Sequence, residues 1–246
     1  VWTAIDPEST LMLSTQPGER SLAMAQAVRH QITQLVAPGC LPLFLSDGCP
    51  HSLPAMVRHF GHWVQPPRRQ ARGPAPQPRL MPLPGVLYAQ VIKRMRRRRM
   101  VEVKRHVVLG HHVAVDRVVT ACGWQINTSV IARLHRSLRQ RVAAIRRRSE
   151  TSCKSETGLT QPLVLLQAYH NFVLPHASLR HALAEPVATN GSGSARVWQA
   201  RMPAMAAGST DHMWSRKEVL MFRVPPCPQP QTVAATGLDD ERGEAA

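Results

Sequence analysis

Two aspartates close short apolar runs in this sequence. Asp6 follows Trp2, Thr3, Ala4 and Ile5 and precedes Pro7; Asp47 ends the run 41–46 and precedes Gly48. Taken singly, either one reads as a turn opener, because Asp accepts from nearby backbone N–H groups and Pro fixes its own φ. Taken together they admit a second reading. Two strands lying parallel and adjacent would bring both carboxylates to one sheet edge, where like charges are costly unless a cation holds them. That is the arrangement of a metal site. Cys49, His51, His59 and His62 also carry ligating atoms, but their spacing matches no standard structural zinc site.

A second chemistry lies in the cations. Lys93, Arg94, Arg96, Arg97, Arg98, Arg99, Lys104 and Arg105 cluster within 93–105, with four arginines in succession. A charge run of this kind is either a solvated surface or an element that contacts phosphates, and the four adjacent like charges favour the second. Over the whole chain of 246 residues, 31 Lys and Arg face 15 Asp and Glu, a formal charge of +16. A polyanion is the expected partner. Nucleic acid fits better than membrane, since no apolar run approaches the ~20 residues that span a bilayer and no apolar leader opens the chain. Five scattered cysteines with no C-x-x-C pair fit a reducing cytoplasm.

The elements that must position these residues follow from periodicity. Residues 1–5 and 10–16 read as a hairpin. Ala25, Val28, Ile32, Leu35 and Val36 recur at helical spacing after Ser21, then come a strand over 41–46, a helix over 52–59 and a short strand over 62–65. The order implies an α/β sheet covered by helices. The proline-rich stretch 66–85 reads as an extended, exposed connector. Two strands, 86–93 and 100–110, flank the basic tip. A helix is expected over 112–122. The clearest amphipathic helix spans 126–148, with Ile131, Leu134, Leu138, Val142 and Ile145 as its apolar stripe, Thr128 as N-cap and an arginine-rich opposite face. Another helix is expected over 161–172, a linker over 189–195 and disorder in the acidic tail. Trp63, Trp124 and Trp214 read as packing anchors. The start at Val1, inside a strand-like run, leads us to expect further residues upstream.

Seven segments, "TAIDPES", "PLFLSDG", "HFGHWVQPPRRQARGPAPQPR", "KRMRRRRMVEVKRHVV", "WQINTSVIARLHRSLRQRVAAIRRRS", "NFVLPHASLRHALAEP" and "MPAMAAGSTDHMWS", together resemble successive segments of bacterial insertion-sequence transposases of the DDE type. The resemblance implies a ribonuclease-H-like catalytic core, a mixed sheet flanked by helices with a basic hairpin inserted. Residues 1–65 and 110–185 would form the core, 66–109 the connector and hairpin insertion, and 186–246 a C-terminal extension. It implies DNA transposition through metal-dependent strand cleavage and strand transfer, with Asp6 and Asp47 as catalytic metal ligands for Mg2+ or Mn2+. In the two-metal scheme the ions sit ~3.5–4 Å apart and serve the attacking and leaving oxygens. DNA contacts fall to the 93–105 cluster and to Arg133, Arg139, Arg146, Arg147 and Arg148. His176, in "LPHASLR", either contacts DNA or caps its turn. A cytoplasmic, nucleoid-associated protein is implied, as a homo-oligomer or mixed with intact transposase.

The sequence departs from that pattern at the third acid. The family places a glutamate in a stretch resembling I-E-R-L-N; here Ile131, Ala132, Arg133, Leu134 and His135 occupy it. A methyl group ligates no metal, and Asp116 and Glu150 lie outside the motif. The family's N-terminal recognition region and a third strand before the first helix are also missing. The implied activity is therefore impaired strand cleavage in a truncated or degenerate copy, with a non-catalytic DNA-binding remnant or regulator as the alternative. A glutamate returned to position 132 would, on this reading, complete the triad.

Overall fold

A computed structural model describes residues 1–68, 75–97, 99–146, 153, 155–188 and 193–223. Strand β1 (Trp2–Ile5) pairs antiparallel with β2 (Met12–Gln16) through a tight turn. Helix α1 (Leu22–Leu35) follows. Ser21 caps it by accepting from the Met24 backbone N–H, and Ala25, Val28 and Ile32 form its buried stripe. Strand β3 (Leu43–Asp47) then leads to α2 (Ser52–His59).

The central sheet is mixed. β3 runs parallel to β6 (Leu87–Arg96), which runs antiparallel to β7 (Arg99–Leu109). Its two faces are covered by different helices, as the alternation of β6 requires. On one face Phe44 and Tyr88 meet Val28 and Ile32 of α1 and Met56 of α2, with Trp2 and Ala4 alongside. On the other, Ala89 and Val91 meet Val115 and Val119 of α3 (His112–Ala121). Gly110 follows β7 with φ +88, a backbone conformation that L side chains rarely adopt, which favours glycine there.

A third cluster anchors the remaining helices. Leu134 and Leu138 of α4 (Ser129–Arg141) and Leu163 of α5 (Glu156–Phe172) close over Met12 of β2. β8 (His181–Val187) and β9 (Arg196–Gln199) form a separate hairpin, followed by short helices α6 (Pro203–Ala206) and α7 (Arg216–Met221).

Six expectations change. β1 and β3 are not hydrogen-bonded neighbours; each pairs with a different strand. The proline-rich connector contains β5 (Arg79–Pro82), which pairs with β4 (Gly61–Val64) as an edge ribbon, where proline is tolerated. The helix expected over 126–148 is shorter. Val142 takes an extended backbone that buries its side chain, and a 3₁₀ turn over Ala143–Ile145 follows. Thr128 stands at the N-cap without a side-chain capping bond. α5 starts earlier than 161 because Ser155 caps it from the Gly158 N–H, and it continues through Pro162. Trp63, read as a packing anchor, is 66% exposed.

Candidate nucleic-acid interface

The hairpin β6–β7 outruns the helices that cover its base. Residues 92–96, the distal half of β6, are all exposed, and Arg97 makes the turn in the left-handed region with φ +49. Lys93, Arg96, Arg97 and Arg99 have no carboxylate partner among the described residues. Arg94 and Lys104 share Glu102, at 3.5 Å each. Arg105 has a structural bond: its Nε donates to the Ile126 carbonyl at 2.8 Å and ties β7 to the segment before α4. Arg98 lies outside the described residues.

Helix α4 carries the second basic surface. Arg136, Arg139, Gln140 and Arg146 line a concavity of about 330 Å3 with no acid in its wall. Arg133 belongs to a different hollow, described below. Arg147, Arg148 and Glu150 lie outside the described residues. Asp116 is on α3, with its carboxylate 3.3 Å from His112 Nδ1.

Asp6 and Asp47 take their partners at opposite ends of the β1–β2 hairpin. At the turn, Asp6 accepts from the backbone N–H groups of Glu8 (3.3 Å) and Ser9 (3.0 Å) and from the Ser9 hydroxyl. Asp47 pairs with Arg20 at 3.6 Å, just beyond the open end, where Trp2 Nε1 donates to the Glu19 carbonyl. The Asp47 carboxylate is 62% exposed, so this pair contributes little to stability. Ala132 is exposed on α4. His135, one turn on, meets Thr3 Oγ1 at 2.7 Å. Burial, with Arg139 and the amino terminus, holds its imidazole below the ordinary value, against the pull of Asp47. Among the described residues, no group of three or more His, Cys, Asp and Glu is placed to hold a metal ion. The donor set does not fit the pair of divalent ions that the resemblance implies, because each aspartate is engaged separately and position 132 has no oxygen.

A hollow of about 580 Å3 lies between the β1–β2 turn, α4 and α5. Arg133 and Arg141 reach it from α4, His170 and His176 from α5 and beyond. His170 Nε2 is 3.1 Å from the Thr10 carbonyl, and His176 Nδ1 is 2.7 Å from Ser178 Oγ, a local turn bond. Burial first, then neighbouring cations, holds both imidazoles below their usual value. Arg141 stands 5.9 Å from the Tyr169 ring. Thr10, in the hollow's wall, has φ +56, a conformation costing a β-branched residue about 1–3 kcal/mol. Sequence reading missed Arg141 and Thr10. The spacing of Arg133, Ser137 and Arg141, one helical face, was a usable signal for the first; nothing local announces the second.

Comparison with family models, with curated proteins and with solved structures returned no match. Among the described residues, no helix is long and apolar enough to cross a membrane.

Proposed function

We propose that this chain is a DNA-binding descendant of DDE-type insertion-sequence transposases that grips the nucleic-acid backbone and does not cleave it. The observation that carries the reading is the bare distal half of the β6–β7 hairpin, with Lys93, Arg96, Arg97 and Arg99 exposed and unpaired with acids among the described residues. A two-stranded ribbon of this width enters the major groove of duplex DNA, and arginines at its tip reach phosphates on either side. The basic concavity of α4 supplies a second set of phosphate contacts. Descent is supported by the seven sequence segments and, more coarsely, by a mixed sheet flanked by helices. Against retained cleavage stand Ala132 and the separate engagement of Asp6 and Asp47.

The test is fluorescence anisotropy of the full chain on several unrelated duplexes of equal length. Similar affinities are expected for all, with a fall of about tenfold or more when Arg96, Arg97 and Arg99 are changed together to Gln. A strong preference for one duplex, unaltered by that triple change, would sink the proposal.

A further inference from the structure

The hollow between the β1–β2 turn, α4 and α5 has a chemistry that backbone gripping by the hairpin does not use. Arg133 and Arg141, two turns apart on α4, both reach it, and neither has a carboxylate partner among the described residues. Two unpaired guanidinium groups in one concavity are an anion site waiting for its counter-charge, and the planar fork suits phosphate oxygens. The same wall holds a buried polar group with no partner. Thr10 is 7% exposed and its hydroxyl makes no hydrogen bond among the described residues. Buried hydroxyls left unpaired are rare in folded proteins, and this one lies behind the hollow's accessible surface.

The remaining lining is neither purely basic nor purely apolar. Trp124 contributes an indole whose N–H is likewise without a hydrogen bond among the described residues, and Asn127 contributes an amide. Glu8 adds one carboxylate, which an inorganic anion would avoid and which a sugar hydroxyl or an exocyclic amine would use. The volume, about 580 Å3, falls within the ~300–1,000 Å3 of small-molecule sites.

We propose that this hollow takes a single nucleotide unit, with the phosphate on Arg133 and Arg141, the base against Trp124 and a polar edge of base or sugar on Glu8. The unit is either a free mononucleotide or one nucleotide of a single strand; both present the same phosphate, sugar and base. The lining shares no residue with the β6–β7 hairpin, so duplex binding by the hairpin is neither needed for it nor explained by it.

The experiment is calorimetric titration of the full chain with dAMP, deoxyadenosine and inorganic phosphate separately. dAMP should bind at least about tenfold more tightly than either fragment, because charge-assisted phosphate bonds and base stacking each contribute about that factor. Arg133→Gln combined with Arg141→Gln should weaken dAMP by about tenfold or more, and Trp124→Leu should weaken dAMP while leaving phosphate unaffected. Both arginines are exposed, so the double variant is expected to keep its circular-dichroism spectrum, and the wild-type comparison needs no variant. Equal binding of phosphate and dAMP would overturn the proposal, as would no dAMP binding or an unchanged double variant. Competition by a 5′-phosphorylated single strand identifies a strand as the source, and failure to compete identifies the free nucleotide; either keeps the site. A chain that binds duplex but not dAMP refutes this inference alone. One that binds dAMP but not duplex refutes the hairpin reading alone.

Discussion

An exposed alanine at position 132 sits one helical turn from His135, whose imidazole is bonded to Thr3 on β1. From sequence, a glutamate there was expected to complete a triad with Asp6 and Asp47. In the structure Asp6 is held by the Ser9 N–H at the hairpin turn and Asp47 by Arg20 past its open end. A carboxylate on α4 would share an ion with both only after displacing the Ser9 contacts of Asp6 and the weak Arg20 pair of Asp47. Ala132→Glu is therefore expected to tighten calorimetric Mg2+ or Mn2+ binding by no more than about twofold and to yield no nicking of supercoiled DNA. Metal-dependent nicking that disappears with Asp6→Ala would show that the two aspartates do share an ion.

At the scale of elements, α4 joins the hairpin β1–β2 to the outer surface. Leu138, 2% exposed, packs with Leu163 and Met12, and its truncation removes those buried apolar contacts. Leu138→Ala should cost about 2–5 kcal/mol in urea denaturation. A cost near zero would mean that α4 is not anchored there. The existence of α1, α4 and the β6–β7 hairpin was legible because apolar residues recur at 3.6 or 2 and because Ser21 caps α1 visibly. Strand partners were not. β1 and β3 read alike in sequence, and only long-range burial of Tyr88 against Phe44 and Met56 puts β6 rather than β1 beside β3. The end of α4 was hidden for a similar reason: Val142 and Ile145 fit the helical stripe, yet Val142 is buried by leaving the helix. Of the candidate interface, the arginine tip was plain from charge alone. The hollow behind Arg133 was not, since it needs the turn at Thr10 and the packing of α5, which no local pattern encodes.

For the molecule as a whole, charge and burial make separate demands. His135, His170 and His176 are each held below the ordinary imidazole value of 6.5, with burial as the largest cause. The unfolded chain therefore takes up protons first as pH falls, so stability is fully present above that value and declines below it. The melting temperature should drop between about pH 7.5 and about pH 5.5, and a rise over that interval would contradict the burial of these rings. On the proposed reading, the net charge of +16 acts differently, through counterions released from DNA. Each phosphate neutralised steepens the log–log salt dependence of duplex binding by about 0.9, so replacing Arg96, Arg97 and Arg99 with Gln should make it shallower by about 2–3. The most direct measurement of the central claim is that pair of salt titrations, wild type against triple variant, on one duplex. The account predicts a steep wild-type slope and a shallower variant slope; a tight wild-type affinity that barely changes with salt, or identical slopes for the two proteins, would contradict it.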